Sequence, residues 1–253
     1  MTRCTMRSCH FNYYGKEKVM KHTFENFKVD ESNATAFNIC QKLANEETIS
    51  PRIIHFCGAT GVGKTHLLEA LRHHLEEERH LDVELMEGKQ LVEFFIGVFK
   101  SCQKTEYPIT KMFPLFAHTD VLMIDNIQYL IGKSSTQELV SELISDMIQA
   151  GKTVIFTSED AFVSYLKIHE LPYEKAHISL PQYFMKRNYL NSYVEKHRLF
   201  LRELETRKIL RASSTIRELN AILNQVAFLR KIEPGMLGSE MLEKILKERG
   251  RPV

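Results

Sequence analysis

The sequence RIIHFCGATGVGKT occupies residues 52–65, and this stretch decides the fold. Residues 52–57 form a short apolar run typical of a buried strand, and residues 58–65 fit the pattern GxxxxGK(S/T). The glycines allow a tight backbone turn whose N–H groups, together with the N-terminus of the following helix, can bind phosphate oxygens. A strand, this loop and a helix in succession therefore predict a site for a nucleoside triphosphate, ATP with Mg²⁺, and ADP is the other nucleotide that the site could hold.

The polar residues of this phosphate loop have separate expected tasks. Lys64 is expected to reach the terminal phosphates, and the hydroxyl of Thr65 is expected to ligate Mg²⁺. A chance glycine-rich turn is the alternative, but the flanking strand and helix and an acidic strand downstream all favour the phosphate site. The backbone predicted to surround the phosphates is that of Gly58, Ala59, Thr60, Gly61, Val62 and Gly63.

The acidic strand lies within VLMIDNIQYL, residues 121–130. Four apolar residues place Asp125 at the carboxyl end of a buried strand, where it is expected to support the magnesium ion; a helix cap is the alternative role. Hydrolysing proteins of this architecture usually have an acid at the next position, but this chain has Asn126. An amide can orient a water molecule but cannot take its proton, so weak or absent turnover is predicted.

The apolar periodicity of the chain predicts alternating strands and helices, hence an α/β fold with a parallel sheet covered on both faces. A flexible tail is predicted for residues 1–21, an α/β nucleotide-binding domain for 22–181 and an all-helical domain for 182–253. The predicted strands are 52–57, 82–86, 120–125, 153–158 and 175–180, and the predicted helices of the first domain are 31–45, 64–79, 88–102 and 135–149.

The composition narrows the class of protein. The 253 residues carry a net charge of only +2, so any contact with nucleic acid should be local. No apolar run approaches the roughly 20 residues needed to cross a bilayer, and the N-terminus lacks the pattern of a signal peptide. Five cysteines without a regular spacing fit a reducing compartment. A cytoplasmic protein without a membrane partner is expected.

Several segments together resemble the AAA+ ATPase domain of the bacterial replication initiator DnaA and of shorter DnaA-related regulators such as Hda. The resemblance implies a P-loop AAA+ three-layer sandwich followed by a small helical lid. The segments that carry it are HTFENFKVDESNATAF (22–37), GATGVGKTHLLEAL (58–71), VLMIDNIQYLIGKSSTQELVSEL (121–143), TVIFTSED (153–160) and IRELNAIL (216–223).

The resemblance also implies roles for residues outside the phosphate loop. Val29 and Asn33 would lie beside the nucleotide base, and Glu159 would occupy the first sensor position, where aspartate is usual in the family. Arg217 would be the second sensor, an arginine of the lid that reaches the triphosphate; a surface arginine paired with glutamate is the alternative. Lys133 would be a local contact for single-stranded DNA.

Two departures from the family limit these implications. Residues 160–175 contain no arginine, although the initiator has an arginine-rich run there that supplies a finger to the neighbouring protomer. No recognition helix fits after the lid, so sequence-specific binding of duplex DNA is not expected. A nucleotide-dependent adaptor that contacts DnaA or other replication proteins is therefore expected. An active ATPase of the helicase-loader or remodelling type, a nucleotide-stabilised binder of single-stranded DNA, and homo-oligomer formation all stay open.

Overall fold

The computed structural model describes residues 22–45, 52–102, 112–159, 166, 171–233 and 238–249. The predicted tail and most of the arginine-free segment lie outside these residues. The strands are β1 (Ile53–Cys57), β2 (Val83–Glu87), β3 (Val121–Asp125), β4 (Thr153–Ser158) and β5 (Glu174–His177). The helices are α1 (Ala34–Asn45), α2 (Lys64–Glu77), α3 (Gly88–Cys102), α4 (Ser134–Gln149), α5 (Tyr183–Lys196), α6 (Glu203–Ala212), α7 (Ile216–Ile232) and α8 (Gly238–Glu248), with 3₁₀ turns at Phe113–Phe116 and Ile127–Leu130.

The five described strands form one parallel sheet in the order β2-β3-β4-β1-β5. Strand β4 lies between β1, which leads into the phosphate loop, and β3, which ends at Asp125. Cys57 pairs with Ser158 on one side of β4, and Ile124 pairs with Phe156 on the other. The carboxyl ends of these three strands therefore meet at one edge, where parallel sheets usually bind their ligands.

Two apolar cores cover the two faces of the sheet and confirm the predicted three-layer α/β sandwich. Every residue of β1, β3 and β4 is buried, as expected for strands covered on both faces. On one face the strands pack against α1 and α2, with Ile54, Met123 and Ile155 in the core. On the other face Ile124 and Phe156 pack with residues of α3 and α4.

Helices α5 to α8 pack around a third core of their own, which includes Leu190, Ile209, Leu223 and Ile245. Within this group the ammonium of Lys186 donates to the carbonyls of Leu210 and Ser213 at 2.9 and 2.8 Å. A cation at the end of α6 satisfies carbonyls that the helix itself leaves unpaired. The domain boundary at residues 181–182 stays a prediction. In the part of the chain that the structure describes, no helix is long and apolar enough to cross a membrane.

Strand β5 is shorter than the sequence predicted. The prediction extended this strand from residue 175 to 180, whereas β5 ends at His177. Its one neighbour in the sheet, β1, ends at Cys57, whose carbonyl accepts the N–H of Ile178 at 2.7 Å. The next N–H, from Ser179, donates instead to the carbonyl of Ser32. The chain leaves the sheet because β1 turns away into the phosphate loop and offers no further partner.

Candidate nucleotide-binding site

The phosphate loop has a backbone that only glycine adopts without strain. Gly58, Gly61 and Gly63 all have positive φ angles, of 154°, 80° and 109°. At Gly58 a Cβ atom would lie 2.2 Å from the backbone oxygen of Ile178, so no side chain fits there. Ala59 and Thr60 are exposed at the tip of the loop. The start of the loop therefore lies against the backbone that directly follows β5.

Lys64 lies inside this loop. Its side chain is buried, and its ammonium donates to the carbonyls of Gly58 at 2.6 Å and Ala59 at 3.0 Å. Burial lowers the pKa of the Lys64 ammonium, while the carboxylates of Asp125 and Glu159 act in the opposite direction. The ammonium is therefore held inside the loop by the loop's own carbonyls.

Asp125 joins the acidic strand to the phosphate loop. Its Oδ2 atom accepts a hydrogen bond from the hydroxyl of Thr65 at 2.7 Å, and its Oδ1 atom accepts one from the hydroxyl of Thr157. Asp125 is almost fully buried. Hydroxyl and carboxylate oxygens are the ligands that Mg²⁺ prefers, and here they converge beside the loop lysine. The residues present fit a magnesium ion held by Thr65 with Asp125 as support.

Asn126 follows Asp125 in the left-handed backbone conformation, with φ 55° and ψ 54°. Asparagine tolerates this conformation better than most residues. Its N–H donates to the hydroxyl of Thr157 at 2.9 Å, and its side-chain oxygen accepts from the amide of Gln128 at 3.4 Å. The amide at this position cannot remove a proton from water.

The lid contacts the phosphate loop through the first turn of α7. A Cβ atom on Gly61 would lie 3.1 Å from the hydroxyl of Thr215 and 3.3 Å from the Cβ of Arg217. Arg217 is exposed, and its charge, like that of Glu159 at the end of β4, acts on the pKa of Lys64. The fold thus brings Asp125, Glu159 and Arg217 to the phosphate loop. These three residues and the loop belong to four segments that are far apart in the sequence.

The N-terminal segment, residues 22–33, lies beside the loop. The ring of Phe27 is 3.0 Å from the position of a Cβ on Gly63. Val29 is exposed, whereas Asn33 is buried and its amide donates to the carbonyl of Lys28 at 2.9 Å. The oxygen of the same amide accepts the N–H of Asp30 at 3.0 Å. Asn33 therefore stabilises the turn that contains Val29.

Lys133, the predicted DNA contact, lies apart from this cluster. It is exposed immediately before α4, and its ammonium donates to the carbonyl of Tyr129 at 2.5 Å. This hydrogen bond connects it to its own turn rather than to the phosphate loop.

Two buried polar residues of the sheet were not anticipated from the sequence. Thr157 contacts both Asp125 and Asn126, and His55 contacts the hydroxyl of Ser158 through Nε2 at 2.7 Å. The His55 ring stacks on Phe156 with 4.7 Å between centroids. Burial, with a contribution from the charge of Lys175, lowers the pKa of His55 to about 4. The sequence offered one signal for each of these residues, namely that a polar residue interrupts a largely apolar strand.

A parallel sheet of this order, a phosphate loop after β1, an aspartate at the end of β3 and a helical lid define the AAA+ class of P-loop domains. The comparison with known proteins is more specific. The model of the bacterial DnaA ATPase domain matches residues 19–170, and the chain belongs to this family.

The relatives and solved structures agree with this assignment. The chromosomal replication initiator protein DnaA of Mycoplasma capricolum is 32% identical over 144 residues, which cover 56% of this chain and 31% of the relative. The chain therefore spans about a third of the length of such relatives. Domain III of Thermotoga maritima DnaA superposes with a TM-score of 0.75 at 18% identity, covering 91% of this chain and 97% of that one. A replication initiator DnaA bound to AMPPCP and single-stranded DNA superposes with a TM-score of 0.72 at 22% identity, covering 92% and 69%.

Proposed function

We propose that the chain binds ATP or ADP with Mg²⁺ and that the bound nucleotide sets its shape for contacts in replication initiation, with little or no hydrolysis. The observation that carries the proposal is the 2.7 Å contact between Thr65 and Asp125 beside the buried Lys64. These three residues supply an oxygen pair for the metal and a cation for the phosphates. A bound Mg²⁺ would shield the phosphate charges.

Each part of the site has a proposed role. The backbone of residues 58–63 surrounds the phosphates, Lys64 pairs with the terminal phosphates, and Thr65 with Asp125 holds the metal. The exposed Val29, in the turn held by Asn33, lies against the base. Glu159 senses the phosphate region from the end of β4.

The helical lid can couple the bound nucleotide to the shape of the protein. The Cβ atom of Arg217 lies 3.3 Å from the position that a Cβ on Gly61 would occupy, and the charge of this exposed side chain acts on the pKa of Lys64. A guanidinium pairs with phosphate through two parallel hydrogen bonds, so a γ-phosphate would attach the lid to the loop. Because ADP lacks this group, the two nucleotides would favour different lid positions.

Two features support slow hydrolysis. Asn126 supplies an amide where a general base is expected, and loss of a general base costs about 10² to 10⁴ in rate. Residues 160–175 contain no arginine to act on a neighbouring protomer's nucleotide. A nucleotide that stays intact is suited to a signalling or structural role. The proposed partners are DnaA or other replication proteins, since the relatives are replication initiators.

The test is nucleotide affinity measured by calorimetry for the wild type and for Lys64→Ala, with Lys89→Ala as a matched control. Lys89 is an exposed lysine of α3 that pairs with Glu93. Lys89→Ala should bind each nucleotide as tightly as the wild type does, and Lys64→Ala should lose binding. Absence of any binding by the wild type would contradict the proposal. Gel filtration with purified DnaA in ATP and in ADP then tests the proposed partner. If the same amount of complex forms with either nucleotide, the nucleotide does not control the shape that DnaA recognises.

A second candidate function is binding of single-stranded DNA at the turn before α4. Lys133 is exposed there together with Tyr129 and Ile131, which combines a cation for phosphate with an aromatic ring for stacking. Binding of a labelled oligonucleotide should weaken with salt and fall further in Lys133→Ala. No binding at low salt would remove this candidate.

A further inference from the structure

Thr157 is a buried hydroxyl at the centre of the candidate site. It lies near the end of β4, directly after the pair formed by Ile124 and Phe156, so that it stands beside Asp125 on the adjacent strand. Along β3 and β4 the residues Met123 and Ile155 belong to the core under α1 and α2. Since side chains alternate along a strand, Asp125 and Thr157 share that face. The same face carries the start of α2, where Thr65 lies.

The hydrogen bonds fix where the hydroxyl proton of Thr157 goes. The backbone N–H of Asn126 can only donate, and its partner at 2.9 Å is the Thr157 oxygen. The Thr157 hydroxyl donates its own proton to Oδ1 of the Asp125 side chain. Thr157 thus holds both the carboxylate of Asp125 and the backbone N–H of Asn126.

This arrangement determines which carboxylate oxygen remains for the metal. With Oδ1 held by Thr157, rotation of the carboxyl group is restricted and Oδ2 is directed at the Thr65 hydroxyl, 2.7 Å away. Groups that orient metal-binding carboxylates through hydrogen bonds affect metal affinity by about 10- to 100-fold. The effect requires no contact between Thr157 and the ion.

The geometry points to Thr157 as a positioning residue that sets the magnesium dependence of nucleotide binding through Asp125, an inference that rests on the proposed nucleotide site. The role differs from simple packing. A packing defect weakens nucleotide binding whether or not Mg²⁺ is present, whereas a misdirected carboxylate weakens it only in the presence of Mg²⁺.

The experiment compares ADP affinity in saturating Mg²⁺ and in EDTA for the full chain and three variants. Thr157→Val keeps the shape and removes the hydroxyl, and Thr157→Ser restores the hydroxyl without the methyl group. Thr153→Val is the matched control, because Thr153 is also buried and lies on the same strand and face four residues earlier.

The wild type, Thr157→Ser and Thr153→Val should show the same gain in affinity from Mg²⁺. In Thr157→Val this gain should fall about tenfold while the affinity in EDTA stays unchanged. In an Asp125→Ala background, Thr157→Val should cause no additional loss, because the residue through which it acts is gone. If Thr157→Val does not fold, Thr157→Ala takes its place with the same expectation, since it removes the same hydroxyl.

An unchanged magnesium gain in Thr157→Val would overturn the inference, and so would an equal loss of affinity in Mg²⁺ and in EDTA. A wild type that binds ADP without any dependence on Mg²⁺ would overturn it while leaving nucleotide binding intact. A wild type that binds no nucleotide under either condition would instead overturn the proposed function itself.

Discussion

Thr65 and Asp125 are 60 residues apart in the sequence, and their side-chain oxygens lie 2.7 Å apart. The contact exists because β3 and β1 flank β4 in a parallel sheet, so that the aspartate ending β3 faces the helix that begins after β1. It brings a hydroxyl and a carboxylate together next to the loop lysine. The function proposed for the chain depends on this pair.

Arg217→Ala should weaken ATP binding about tenfold and leave ADP binding unchanged. The Arg217 side chain begins beside Gly61, and its guanidinium would pair with the γ-phosphate, which ADP lacks. Arg211→Ala is the control, since Arg211 is also an exposed lid arginine but lies in the last turn of α6. Calorimetric titration with each nucleotide decides the matter. An equal loss for ATP and ADP would show that Arg217 does not read the γ-phosphate.

Gly61→Ala should disturb the lid, and Gly132→Ala should not. Both glycines have nearly the same positive φ, 80° and 79°, so alanine at either position adds about 1 kcal/mol of strain. They differ in their surroundings. A Cβ on Gly61 presses on Thr215 and Arg217, whereas a Cβ on Gly132 meets nothing within 4 Å.

Hydrogen exchange at the first turn of α7, measured without nucleotide, distinguishes these two glycine variants. Faster exchange is expected in Gly61→Ala alone. Equal exchange in both variants would indicate that the lid does not rest on the loop in solution.

Asn126→Asp should raise ATP turnover, by up to about 10² fold, because it restores a carboxylate able to accept a proton. Aspartate tolerates the left-handed backbone as asparagine does, so the turn should be retained. Asn126→Gly keeps the backbone without a side chain and should leave the rate at the wild-type level. Phosphate release under steady-state conditions gives the rates. Identical rates for all three proteins would mean that another step limits hydrolysis.

His55 should make stability depend on pH in a defined window. Burial lowers its pKa from 6.5 to about 4, so the folded protein favours the neutral ring. The resulting stabilisation is complete above pH 6.5 and is lost as the pH falls from 6.5 toward 4, amounting to about 3 kcal/mol.

Urea unfolding between pH 7 and pH 4.5 measures the contribution of His55. The variant His55→Gln should lose less stability over this range than the wild type, while the exposed His118→Gln should follow the wild type. Parallel pH profiles for all three proteins would rule out a buried neutral histidine as the cause.

The sequence was sufficient for those parts of the site that depend on contiguous residues. The phosphate loop, the aspartate ending an apolar strand and the alternation of strands and helices are local patterns, and the fold follows them. The role of Thr157 depends on the register between β3 and β4, which no local pattern specifies. The early end of β5 likewise depends on contacts with distant segments, because Ile178 and Ser179 donate to the carbonyls of Cys57 and Ser32.

The rate at which bound ATP is hydrolysed tests most directly whether the nucleotide is a structural or signalling ligand rather than an energy source. Radiolabelled ATP is mixed with excess protein and Mg²⁺, and the bound nucleotide is separated into ATP and ADP over time. The bound ATP should be hydrolysed more slowly than about 0.1 s⁻¹, since median enzymes turn over near 10 s⁻¹ and a missing general base costs at least about 10². Conversion at about 1 s⁻¹ or faster, abolished in Asp125→Ala, would contradict this and identify an active ATPase.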